Sequence, residues 1–139
     1  MTASAETGPE PVALRLLLEP VLRAIAVDRT GVGLRELRPR DADYPKVFRP
    51  AALGAARCRY ETLWAGPLDF RHPPGDATVE IHLFRAERLT ADLAVLLVPE
   101  RVWAAWTYRG AAGGISYDGL AWCDDHWAWF PKPARLING

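Results

Sequence analysis

A chain of 139 residues, half of them apolar and about a quarter charged, is long enough to bury one core without disulfides or metals and too short for two domains of ordinary size. That balance excludes a disordered chain, and a formal net charge of zero excludes a global field recruiting nucleic acid or an anionic membrane. Fifteen Arg against two Lys, spread without a cluster, read as coding bias, and two cysteines without CxxC spacing predict a reducing, cytoplasmic setting.

The opening MTASAETGPEP has neither the basic nor the apolar region of a signal peptide, and no apolar run approaches a membrane span. Residues 1–8 read as a disordered tail and 9–139 as a single domain. From Glu10 onward, Leu14, Leu17, Leu18, Val21, Leu22 and Ile25 recur at spacings of three and four and predict one helical stripe. Pro20 removes the donor to the Leu16 carbonyl, so the helix kinks or restarts there, and Gly31 and Gly33 end it. Residues 34–40 have no clear period, with Arg35, Arg38 and Arg40 toward water. Asp41 or Asp43 ahead of Pro45 predicts a cap and a short helix ending near Phe48. A clearer helix is predicted over 50–65, with Leu53, Ala56, Tyr60, Leu63 and Trp64 on its inner face. Arg57 and Glu61 pair on its wet side, and Gly66-Pro67 stops it.

The segment 78–85 alternates Val79, Ile81 and Leu83 against Glu80, His82 and Phe84, the pattern of a strand with one wet or half-wet face. Residues 86–92 read as a helical turn, and 93–98 as a buried strand or the end of that helix, closed by Pro99. Residues 102–130 hold five of the six tryptophans and read as three hairpin-linked strands, 102–109, 115–123 and 126–130. A two-residue turn at Asp124-Asp125 pairs Cys123 with His126, Trp122 with Trp127 and Leu120 with Trp129. A five-residue loop at 110–114 pairs Tyr108 with Ser116, Trp106 with Asp118 and Ala104 with Leu120. One face then carries Val102, Ala104, Trp106, Tyr108, Leu120, Trp122, Trp127 and Trp129, and such a face needs a helical cover. The prolines of PKPARLING exclude a further central strand. The expected fold class is α+β: N-terminal amphipathic helices packed on a curved, mainly antiparallel sheet.

The order of amphipathic helices, curved sheet and a long hairpin closing in a W-x-W strand, with the pieces YETLWAG, SYDGLAW and HWAWFPKP, resembles the nuclear-transport-factor-2-like (cystatin-like) α+β cone superfamily. The likeness covers roughly residues 10–135 and extends to small bacterial proteins of that shape. The short strand which that fold places between its helices has no counterpart between Gly33 and Pro50. The resemblance implies a cone-like interior. In members that act as isomerases, dehydratases or cyclases, it implies an Asp or His there as general acid or base.

On these grounds Asp118, expected beside Trp106 on the aromatic face, is the candidate catalytic residue. The competing reading makes Asp118-Gly119 a bulge with the carboxylate accepting backbone N–H groups. Tyr60, Trp64, Trp106, Tyr108 and Trp129 are the candidate ligand-binding side chains, against the alternative that they fill the core. His126 faces Cys123 across a tight turn as a thiol faces its base, yet the tip offers no orienting group. Glu80, His82 and His126 are the residues a metal would recruit, but no two histidines have ligand spacing on one element, so no metal or other cofactor is expected. RGAAGG lacks phosphate-loop spacing. The leading expectation is a non-catalytic cytoplasmic domain binding a small apolar or amphipathic ligand, or a protein partner, through an aromatic-lined cone. The alternatives are an acid–base isomerase or dehydratase using Asp118, with Tyr108 as a hydrogen-bond donor, and a dimerisation module. In the last, the outer face carrying Trp103, Thr107, Tyr117 and Phe130 packs on a second copy as a homodimer.

Overall fold

The computed structural model describes residues 11–86, 91–111 and 113–138. The expected tail at 1–8 and part of the expected turn at 86–92 lie outside them. Helix α1 (Pro11–Val27) buries Leu14, Leu18, Leu22 and Ile25 to 2% exposure or less. Leu17 departs from the expected stripe and is 53% exposed, because its position lies about a quarter turn from the centre of the buried set. The helix runs unbroken through Pro20, which sits on the exposed side, where water can meet the carbonyl it leaves unbonded. The helix ends at Val27, ahead of the expected stop at Gly31 and Gly33, and Gly33 lies within the next helix. The Asp28 carboxylate accepts the N–H groups of Thr30 and Gly33 at 2.9 and 3.0 Å, and so carries α1 into the short α2 (Val32–Arg35).

A 3₁₀ turn (Asp41–Asp43) leads into α3 (Tyr44–Val47), and Asp43 Oδ2 accepts the Arg40 N–H at 2.8 Å as a cap does. A second 3₁₀ turn (Pro50–Ala52) opens α4 (Leu53–Ala65), which buries Ala56, Tyr60 and Trp64. Arg57 pairs with Asp41 at 3.4 Å instead of the expected Glu61, because its guanidinium lies over the Tyr44 ring of the neighbouring helix. After β1 (Thr78–Arg85) comes α5 (Ala91–Ala94). Of the apolar run at 93–98 only Leu93 and Ala94 end that helix; a turn follows, and Leu97 makes one isolated bridge to Phe48.

Strands β1, β2 (Val102–Gly110), β3 (Gly113–Trp122) and β4 (Trp127–Trp129) pair antiparallel in sequence order. With the helices they make an α+β fold whose sheet is curled but not closed. A last short helix, α6 (Arg135–Asn138), follows. The expected β3–β4 register holds: Leu120 pairs with Trp129 and Trp122 with Trp127, and Cys123 donates its N–H to the His126 carbonyl at 2.8 Å.

The β2–β3 register is corrected. Gly110 pairs with Gly113, so the connection is two residues and not five, and Trp106 pairs with Tyr117, Tyr108 with Ile115. Between Ala104–Leu120 and Trp106–Tyr117 the two residues Asp118 and Gly119 oppose the single Ala105, which is a β-bulge. Asp118 is therefore exposed in the bulge, and Tyr117 takes the place expected for it beside Trp106, with ring centroids 5.3 Å apart.

Both faces of the sheet are covered where the tryptophans lie. On one, Tyr108 donates to the Leu22 carbonyl of α1 at 2.7 Å and Arg15 to the Ile81 carbonyl of β1. On the other, the Phe130 ring meets Tyr44, Phe48, Tyr60 and Trp103 at centroid distances of 5.6, 5.1, 5.3 and 6.2 Å. Trp103 and Phe130, expected on an outer dimer face, are thus core residues at 1% and 0% exposure. The far end of that second face is polar: Arg109 pairs with Glu80, and Thr107 bonds to Ser116.

Candidate functional site

The bulge lies beside an open cleft. Gly119 has φ +96°, and the chain after β4 crosses directly over it, Phe130 donating its N–H to the Gly119 carbonyl at 2.7 Å. Pro131 and Lys132 then run beside Asp118, whose Oδ1 accepts the Lys132 N–H at 3.0 Å. Against this crossing stand α4, the 68–71 loop and α6, enclosing a cleft of about 650 Å³. Tyr117 fixes the loop. Its hydroxyl accepts the Arg71 N–H at 2.8 Å and its ring stacks on Phe70 at 5.0 Å, and burial raises its pKa above the ordinary phenol value.

The cleft wall is cationic. Among the described residues Arg59, Arg71, Lys132 and Arg135 line it with only Asp69 and Asp118 as acids, and Lys132 is 4.0 Å from Asp69. Arg59 lies over the Tyr60 ring, and its Nε is buried with no hydrogen-bond partner among the described residues. Among the described residues no imidazole or thiol lines the opening.

Of the side chains expected to contact a ligand, Tyr60, Trp64, Trp106 and Tyr108 are 0–2% exposed and fill the core. Trp129 reaches the cleft wall but is itself 2% exposed, its indole N–H donating to the Asp118 carbonyl at 2.7 Å. The open space therefore lies beside the aromatic ladder and not within it. Asp118 is in the cleft, as a bulge residue. The cations come from a helix, a loop and the C-terminal segment, and no spacing in the sequence joins them.

No family model, curated protein or solved structure matches the chain. The function must be read from these side chains.

A second cluster sits at the β3–β4 turn. His126 does face Cys123 as the sequence predicts, and the fold adds Asp43, eighty-three positions away, whose Oδ2 is 2.9 Å from His126 Nε2. Arg101 holds the turn in place, donating to the Lys46 and Trp122 carbonyls, each at 3.0 Å, and to Asp124 at 2.7 Å. Cys123 is fully buried. Burial, with the Asp43 charge adding to it, pushes its thiol up to about 12, the reverse of an activated nucleophile. Glu80 and His82 lie on β1 at the opposite sheet edge from β4, so the metal set considered from sequence is not assembled.

Proposed function

We propose that the domain is a non-catalytic binding module for an amphipathic anion, a carboxylate or similar head on an apolar body, held in the cleft beside the bulge. The observation that carries this reading is charge: in a chain of zero net formal charge, the described residues gather four cations and two carboxylates around one opening. The volume suits a small molecule, and Leu63, Leu68, Ile115 and Tyr117 offer the apolar wall. The isomerase or dehydratase reading requires Asp118 to exchange a proton inside an apolar site. Its exposure, its bond to the Lys132 N–H and the lack of a lining imidazole weigh against that chemistry. The order of helices and curled sheet supports the cone-superfamily resemblance, and two free thiols support a reducing cytoplasm. Among the described residues no helix is long and apolar enough to cross a membrane.

Isothermal titration with decanoate, and with decanol as the uncharged control, tests the reading. Decanoate should bind in the micromolar range and weaken with added salt. The double variant Arg71→Ala, Arg135→Ala should bind it about tenfold or more weakly. Decanol binding as tightly as decanoate, or no heat from decanoate at about 1 mM, would overturn it.

A further inference from the structure

We propose that Asp43, Cys123 and His126 form a binding site for a zinc-class divalent cation, with a fourth coordination position open to the groove beside α1. The site shares no residue with the anion cleft and stands independently of it. One donor atom from each of the three residues lies within 4.8 Å of the other two. Thiolate, imidazole and carboxylate together suit zinc and its neighbours, whereas calcium and magnesium prefer oxygen alone. One thiolate and one carboxylate balance a double positive charge, which favours the ion in so buried a place.

The hydrogen bonds around His126 point the same way. Its Nδ1 is 2.5 Å from Asp125 Oδ1 and its Nε2 is 2.9 Å from Asp43 Oδ2. A neutral imidazole has one N–H. It can therefore donate to only one of the two carboxylates, and with the proton on Nδ1 the Nε2 lone pair is free to meet a cation shared with Asp43. Asp125 is then placed as the outer carboxylate that orients a ligating histidine.

Asp43 supplies a separate observation. Its side chain is 1% exposed, and its Oδ1 has no hydrogen-bond partner among the described residues, a buried acceptor whose desolvation nothing nearby offsets. Arg101 and Lys46, which flank the turn, are engaged by Asp124 at 2.7 and 3.7 Å. Of the three ligands His126, 18% exposed, is the one that reaches a groove of about 500 Å³, which it lines with Leu17, Val21, Arg40, Trp122 and Trp127. An ion arriving by that route displaces the thiol proton and any proton between Nε2 and Asp43, so uptake releases protons to solvent.

Metal-stripped protein titrated with Zn²⁺, and with Co²⁺ as the coloured substitute, tests the proposal. The expected result is one ion per chain, a melting temperature that rises with free Zn²⁺, and a near-ultraviolet thiolate-to-cobalt band. That band should survive in Cys58→Ser, which removes the exposed thiol, and vanish in Cys123→Ser. Asp125→Asn changes an exposed residue and should melt like the parent chain in chelator, yet bind about 10- to 100-fold more weakly, which keeps the test open should Cys123→Ser fail to fold. Absence of one-to-one uptake, leaving a proton alone between His126 and Asp43, would overturn the proposal. So would a cobalt band that depends on Cys58.

Discussion

A Cβ atom on Gly119 would lie 2.1 Å from the carbonyl oxygen of Phe130 and 2.7 Å from its carbonyl carbon. Two backbones meet there with no room for a side chain, and the positive φ of Gly119 adds a second reason for glycine. Gly119→Ala should therefore cost about 3–5 kcal/mol, a large share of the ~5–15 kcal/mol that holds a domain of this size folded. Gly54 in α4 has nothing within 4 Å of its Cβ position, and Gly54→Ala should stabilise by roughly 0.4–1 kcal/mol. Urea midpoints of the two variants moving in the same direction would contradict this account of the crossing.

Arg35 closes the C-terminal end of α4 from another helix. Its guanidinium donates to the Trp64 and Gly66 carbonyls at 2.6 and 3.0 Å and lies 5.8 Å from the Trp64 ring. Those carbonyls have no partner inside the helix, and a cation there meets the negative end of its dipole. Arg35→Ala should cost about 1–2 kcal/mol, and Arg35→Lys should recover only part of it, since an ammonium cannot reproduce the planar fork. Equal stability of the Lys variant and the parent in thermal melts would reduce the interaction to simple charge.

The bulge also explains what was legible in the sequence. Asp124-Asp125 admits one turn length, so β3–β4 pairing could be read directly. The glycines at 110, 113 and 114 admit several lengths, and assuming a five-residue loop shifts the hairpin by one position. That shift persists only as far as the bulge, where the extra residue restores Ala104–Leu120. Within the shifted part every side chain changes face, which is why Tyr117 was expected outside and Asp118 inside. Buried positions on α1 and α4 followed from helical period, Leu17 excepted. The anion cleft did not, because its cations lie on segments with no common period. Asp43 did not either, since a cap residue carries no sign of which distant histidine it meets.

Burial raises the pKa of all four tyrosines, to about 12 for Tyr44. The neutral phenol is the form the fold accommodates. The stability this represents is fully present below the unfolded value of about 10 and is lost as pH rises from there through the folded values. The urea midpoint should hold steady to near pH 10 and then fall. Tyrosinate absorbance of the folded chain should lag that of the chain in urea, and coincident titration curves would mean the rings are solvated.

β4 is an edge strand of three residues, and such an edge is a template for pairing with another chain unless its groups are met. At Trp129 both outward groups are met by the protein itself: its N–H donates to the Leu37 carbonyl at 2.8 Å, and its carbonyl accepts the Trp64 indole N–H at 3.1 Å. The two indoles also pack edge to face with centroids 6.2 Å apart. Trp64→Phe keeps much of the ring contact and removes the donor, leaving a buried carbonyl unpaired, so it should cost about 1–3 kcal/mol. Trp64→Ala removes the ring as well and should cost about 3–5 kcal/mol. The difference between the variants separates the hydrogen bond from the packing. If Trp64→Phe melts with the parent chain, water or a shift of β4 satisfies the Trp129 carbonyl. In that case hydrogen exchange at the Trp129 amide should be fast where this bonding predicts it to be slow.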